Sequence, residues 1–281
     1  MLTIRPVDEG GLPSAAELLT KGFPQRGLAF WQKGLARLNA YCREQDFRSF
    51  GSFLVSKGKP VGVLLEIPSF DAVTGEKVVN LSSWYVEEKF RWFAPKMLMQ
   101  AISDESVTYT DFTPTPEMVE FNGRLGFRTI ASRQMFFALP LAAVGWGSPA
   151  RVLSFDKLPA SVLSRRERQV IRTHVDLGCT ALVVQARDAH HPIVLDVIRR
   201  KNIPVARILY VENRRVIVDN IRPIARALLT RGVPVLSVLA PSDIHCRYAI
   251  RGRTTHHYQI KGTWRDEAIN ELFSERVFLN V

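Results

Sequence analysis

Cysteine is scarce in this chain. There are three in 281 residues, Cys42, Cys179 and Cys246, an odd number without metal-ligand spacing. That excludes a disulfide scaffold and a paired-cysteine zinc module, and it makes a reducing cytoplasm the expected compartment. Long apolar runs are also missing. No stretch reaches the roughly 20 residues a membrane helix needs, and the opening MLTIRPVDEGG has no apolar segment of the secretory kind. Acidic residues are sparse in one half only. Residues 149–281 carry 12 Asp+Glu against 22 Lys+Arg, 19 of these arginine, whereas residues 1–148 carry 15 against 16. The second half is therefore expected to attract anions, such as nucleotide phosphates, nucleic acid or an acidic membrane surface. A merely solvated arginine-rich face gives the same count. The two histidine pairs, His190-His191 and His256-His257, show no partners at metal-binding spacing, so solvated histidines and no metal are expected.

What is present suits a large core, since 46% of the chain is apolar and 23% charged. The organising stretch is Val78 to Ala101, VVNLSSWYVEEKFRWFAPKMLMQA. It starts as a strand, with Val79, Leu81, Ser83 and Tyr85 on one face and Asn80, Ser82, Trp84 and Val86 on the other. It ends as a helix carrying Met97, Leu98, Ala101 and Ile102 at helical spacing. A strand that enters a helix this directly offers the helix's unpaired N–H groups and dipole to a phosphate. Arg91 and Lys96 flank that crossing.

Before this stretch, the pattern predicts an edge strand (Leu2 to Val7) and two helices (Pro13 to Phe23, Gly27 to Arg43). A hairpin follows, turning at Lys57-Gly58-Lys59-Pro60. After it come a strand (Ser106 to Phe112), a helix (Glu117 to Leu125) stopped by Gly126, and two more strands or one bent one from Arg128 to Leu139. The Gly/Pro/Ala segment 142–150, containing Trp146, reads as a linker between domains at 1–141 and 151–281. The second half predicts helices at Leu158 to Leu163 and Arg166 to Leu177. A strand (Thr180 to Gln185), a turn (Asp188 to Pro192) and a strand (Ile193 to Arg199) come next. Then follow a strand (Val205 to Glu212), a helix (Asp219 to Thr230), strands at Val233 to Leu239 and His256 to Lys261, and a closing helix (Asp266 to Leu272). The order repeats that of the first half, and Tyr85-Val86-Glu87 is echoed by Tyr210-Val211-Glu212. This is a mixed α/β (α+β) pattern in two copies.

Three local matches, GKPVGVLLE, WYVEEKFRWFAPKML and EFNGRLGF, come in an order and spacing that resemble the GNAT acyl-coenzyme A N-acyltransferase superfamily over roughly residues 1–140. The resemblance implies tandem GNAT-like folds with a degenerate second copy, and acyl-coenzyme A, acetyl-coenzyme A for instance, as co-substrate. It implies that strand residues Trp84, Tyr85 and Val86 contact the pantetheine arm and that residues 91–96 form the phosphate loop. Arg91 fits that loop's first place. Ala94 replaces its glycine, Lys96 holds the sixth place, and Trp92, Phe93 and Pro95 add bulk. Where the family often has an acidic tyrosine stands Asn122, an amide that donates hydrogen bonds but no proton. Glu66 and Glu87, each at a strand end, are the candidate bases, with solvated or paired carboxylates as the plainer alternative.

The second half has no recognisable phosphate loop at residues 213–218. Cys179 reads as a core thiol, and His174 as a helix cap or a site residue. Leu163 to Ile171 looks like the start of a LuxR-type helix-turn-helix, but LGCTALVVQA follows where a recognition helix is needed. Ser164 with Glu167 is then an ordinary capping box. Acyl transfer from acyl-coenzyme A to the amine of a small molecule or peptide is the favoured function. The alternatives are aminoacyl transfer from tRNA by a Fem-type enzyme, whose motifs are not visible, and an acyl-coenzyme A or anion-binding module without chemistry.

Overall fold

The computed structural model describes residues 1–145, 149–187, 189–241, 244–246 and 248–279. Trp146 of the expected linker and Asp188 of an expected turn lie outside them. The chain forms two units, neither of them a single run of sequence. The first takes Met1–Thr129, Tyr258–Trp264 and Phe273–Val281, and the second takes Ile130–His257 and Arg265–Leu272. Against the expected single boundary at 142–150, each unit draws a strand from the other half of the sequence. That strand pairs the backbone groups of what is otherwise a sheet edge.

The first unit opens with β1 (Leu2–Pro6), α1 (Leu12–Gly22) and α2 (Leu28–Glu44). Ala15, Ala16, Leu18 and Leu19 of α1 and Trp31, Leu35 and Leu38 of α2 are buried, the i, i+3, i+4 spacing of a helix with one apolar face. Next come β2 (Gly51–Ser56), β3 (Lys59–Phe70) and β4 (Lys77–Val86), an antiparallel meander. A 3-10 helix, Glu88–Phe93, runs into α3 (Ala94–Ala101), followed by β5 (Thr108–Asp111) and α4 (Pro116–Arg124). Thr115 caps α4 by accepting the Met118 N–H at 3.4 Å. At the other end Gly126 takes φ +89° and Phe127 N–H returns to the Asn122 carbonyl at 3.1 Å, so the LGF motif is a glycine helix stop. β5 is parallel to β4, and residues 259–261 of β12 (Ala249–Lys261) lie antiparallel on its other side.

β4 departs from simple alternation. Leu81 pairs with Glu66 and Trp84 with Leu64, so Ser82 and Ser83 bulge from the ladder. The bulge shifts parity, and Trp84 and Val86 join Val79 and Leu81 in the same apolar cluster.

The second unit contains β6 (Arg128–Ala138), α5 (Leu139–Ala142), β7 (Arg151–Ser154), α6 (Arg165–Asp176), β8 (Thr180–Ala186), β9 (Ala189–Arg200) and β10 (Ile203–Val211). It continues through α7 (Arg214–Asp219), α8 (Ile221–Leu229), β11 (Val235–Ala240) and β13 (Ile269–Asn270), while α9 (Glu275–Phe278) returns to the first unit. Its strands lie in the order β7-β8-β9-β10-β11-β6, which repeats the first unit's β1-β2-β3-β4-β5-β12. β10, like β4, is fourth, antiparallel to the strand before it and parallel to the one after. The strands ending near Tyr85 and Tyr210 thus hold equivalent places.

Three local expectations fail. Residues 158–163 form turns and not a helix; Pro159 breaks the run and Leu158 and Leu163 anchor it as single buried side chains. His190 and His191 are not in a turn but on β9, opposite Gln185 and Val184, because Arg187 at φ 55° lets the chain reverse within two residues. The expected closing helix from Asp266 is replaced by turns and β13. The capping box is present, with Glu167 N–H to Ser164 Oγ at 3.2 Å and Ser164 N–H to Glu167 Oε2 at 3.0 Å, and β8 follows in place of a recognition helix. Among the described residues no helix is long and apolar enough to cross a membrane.

Candidate functional site

β4 and β5 run side by side only over Val78–Asn80 and Thr108–Thr110. β4 then continues to Val86 with β3 alone beside it, and β5 ends at Asp111. Where two parallel strands part, the backbone groups on the inner edge lose their ladder partners. The gap opens into a cleft of about 580 Å³ within the first unit. Sheet residues 81–84, Leu98 of α3, Met118 and Asn122 of α4, the α1–α2 connection and Glu275 line it.

Among the described residues, five polar atoms on that lining are buried without a hydrogen-bond partner: Trp31 Nε1, Ser82 Oγ, Trp84 Nε1, Asn122 Oδ1 and Glu275 Oε2. Each such atom costs about 1–3 kcal/mol if left unmet. Their convergence on one cleft makes it the candidate binding site.

At the end of β5 stands a polar network. Asn122, fully buried, donates through Nδ2 to Asp111 Oδ2 at 3.1 Å and to Gln259 Oε1 at 2.8 Å. Gln259, also fully buried, donates to the Val119 carbonyl at 2.8 Å. Thr113 N–H approaches Asp111 Oδ1 at 3.3 Å, and its hydroxyl donates to Glu275 Oε1 at 2.8 Å. Burial, reinforced by the nearby Glu275 carboxylate, pushes the Asp111 carboxyl up to about 7, although Thr113 and Asn122 pull the other way. A carboxyl so placed exchanges protons near neutral pH.

The residues singled out by sequence fall into three groups. Trp84 lines the cleft, Val86 is buried behind it, and Tyr85 packs against α1, so closely that a Cβ on Gly22 would lie 2.5 Å from its ring. In the phosphate-loop stretch, Arg91, Trp92 and Lys96 are exposed, with Trp92 edge-on to Phe93 at 5.5 Å and the Lys96 ammonium 5.3 Å from the Phe93 ring. Ala94 is right-handed helical at φ −54°, so the glycine substitution strains nothing there. Its N–H is taken by the Arg91 carbonyl. The 3-10 helix therefore moves the unpaired donors back towards Glu88, a shift that strand-into-helix reasoning did not anticipate. Of the carboxylates, Glu66 accepts from Ser52 Oγ at 2.5 Å, and burial raises its pKa. Glu87 forms an ion pair with Lys21 at 3.4 Å, a partly exposed contact worth about 0–1 kcal/mol. Neither borders the cleft. Asn122 does, with both N–H bonds committed within the network and its oxygen unmet. Asp111 could have been read from its position at a strand end ahead of a Thr-Pro-rich cap. Gln259 and Glu275 carry no local signal.

In the second unit the equivalent strand edge is closed. β13 pairs antiparallel with β10 through Tyr210–Asn270 and Val211–Ile269, and Glu271 N–H reaches the Leu209 carbonyl at 2.7 Å. The segment is anchored by Arg214, buried and bonded to the Asp266 carbonyl at 3.0 Å, and by His174 Nε2 at 2.8 Å from the Leu272 carbonyl. His174 is thus a buried tie between α6 and this segment. A wider groove of about 1170 Å³ is lined partly by Arg187, Arg215 and Arg222; the first two are exposed, as a solvated basic face would have them. Among the described residues no cluster of three metal-ligating side chains occurs.

No family model and no curated protein matches the sequence. Solved structures do match in shape. An Anabaena variabilis GCN5-related N-acetyltransferase superposes with a TM-score of 0.59 at 10% identity, over 92% of this chain and 72% of its own. One from Kribbella flavida gives 0.56 at 9% identity, over 92% and 70%. A tandem GNAT protein of the clavulanic acid pathway gives 0.50 at 12% identity, over 94% of this chain and 100% of its own. The architecture is a tandem GNAT fold. At these identities the likeness is one of fold, and in that fold the parted strands β4 and β5 bound the cleft of the first copy.

Proposed function

We propose that the protein is an acyl-coenzyme A-dependent N-acyltransferase working in its first GNAT unit. The observation that carries this reading is the open inner edge of β4 from Leu81 to Val86, beside a cleft whose polar atoms lack partners. An amide-rich arm can add to that edge as a strand would, with Ser82, Trp84, Tyr85 and Val86 holding it. Arg91, Lys96 and the start of the 3-10 helix would hold the phosphates, with Trp92, Phe93 and Ala94 shaping the loop. Coenzyme A brings an activated acyl group; the N–C bond forms as the C–S bond breaks, and the thiol leaves with a proton from solvent. Asp111 is the base we favour over Glu66 and Glu87, because its carboxyl lines the cleft and takes the amine's proton at Oδ1 or Oδ2. Asn122 orients it. The second unit has filled the corresponding edge with β13, so we assign it a structural role.

Isothermal calorimetry with acetyl-coenzyme A, followed by thiol release in the presence of an amine, tests the proposal. Saturable binding together with amine-dependent thiol release supports it. Binding without turnover of any amine leaves the non-catalytic module, and absence of binding to acetyl- and longer acyl-coenzyme A overturns the reading.

A further inference from the structure

Part of the cleft lining has a distinct chemistry. Phe23 and Trp31 both line it, with ring centroids 5.5 Å apart, and Trp31 is only 2% exposed. Facing into the same cleft are two carboxylates, Asp111 and Glu275, joined through Thr113. Glu275 is 3% exposed, and its Oε2 has no hydrogen-bond partner. A buried carboxylate oxygen in that state calls for a donor, and a charge-assisted one meets it best. Aromatic side chains lining the same cleft favour an ammonium and give an apolar body something to pack on. One cation shares the lining. The Arg26 guanidinium lies 4.7 Å from the Phe30 ring centroid and forms no ion pair among the described residues.

We propose, resting on the acyl-transfer reading, that the acceptor is a monoamine: one primary ammonium on an apolar, aromatic-bearing skeleton. The ammonium docks at Glu275 and Asp111, and the skeleton lies along Phe23 and Trp31. Arg26 sets the charge count. A second ammonium on the same molecule meets its guanidinium and is repelled, so polyamines are poor acceptors. An amino sugar fails differently, because its hydroxyls must give up water against indole and phenyl surfaces.

The test compares kcat/KM for 2-phenylethylamine, glucosamine and spermidine with acetyl-coenzyme A, read by thiol release. The expected order places phenylethylamine at least about tenfold above the other two. Glu275→Gln keeps the bond to Thr113 and is expected to raise the phenylethylamine KM about tenfold with a smaller change in kcat. Arg26→Gln, at a partly exposed position, is expected to raise kcat/KM for spermidine and narrow the gap. Preference for spermidine or glucosamine overturns the proposal, as does an Arg26→Gln enzyme with unchanged discrimination. Turnover of some other amine class while none of these three amines is turned over overturns the acceptor class alone. Failure of acetyl-coenzyme A to bind removes the acyl-transfer reading and this proposal with it.

Discussion

Asn122 and Gln259 lie 137 residues apart in the sequence and share a buried 2.8 Å hydrogen bond. Gln259 also satisfies the Val119 carbonyl, and all its polar reach is inside the protein. Replacing it with Leu strands an amide N–H and a carbonyl at once. Gln259→Leu is expected to cost about 2–4 kcal/mol. Urea unfolding measures this, and a loss under about 0.5 kcal/mol, the size of an ordinary surface substitution, would mean the network carries no weight.

Asp111 makes two linked predictions. With amine and coenzyme held the same, Asp111→Asn is expected to lower kcat/KM roughly 100- to 10,000-fold and to remove a rising limb centred near pH 7. The stability effect has the opposite slope. The folded protein holds the Asp111 proton more tightly than the unfolded chain, whose value is near 3.8, so its stabilising contribution is complete below about pH 4 and is lost as pH rises through 7. The stability gap between wild type and Asp111→Asn should shrink across that window. A gap independent of pH contradicts the placement of this carboxyl.

Arg91 and Lys96 are both exposed. Removing both as alanines is expected to weaken acetyl-coenzyme A binding about tenfold or more while leaving S-acetylpantetheine, which lacks phosphates, nearly unaffected. Equal loss for both ligands would mean the double variant has disturbed the fold instead of the phosphate contact.

Stoichiometry follows from the two strand edges. One coenzyme A per chain is expected, because β4 is open and β10 is paired with β13. Native mass spectrometry that finds two per chain would sink the structural role given to the second unit.

The arginine-rich half should bind tRNA only weakly. Its affinity is expected to fall steeply as salt rises, as non-specific phosphate contacts do. A filter-binding titration in which tight binding survives at physiological salt would favour the aminoacyl-transfer alternative.

Much of the fold was legible because its signals are local. Amphipathic spacing marked α1 and α2, Ser164 marked the start of α6, and Gly126 marked the stop after α4. The strand carrying Trp84 and the loop carrying Arg91 were found for the same reason. What escaped is decided by distant partners. The bulge at Ser82–Ser83 depends on how β3 pairs, and β13 looks helical until β10 offers it an edge. Asp111 gains its character from burial and from the Glu275 carboxylate, far from it in sequence, so no window around it reports a raised pKa.

The interleaving of segments has a consequence for synthesis. Residues 258–264 and 273–279, which bring Gln259 and Glu275 to the first unit, are translated only after residues 130–257 have been made. Up to that moment the nascent first unit has β5 without its outer neighbour and Asn122 without its amide partner. The first unit is begun before the second and completed after it.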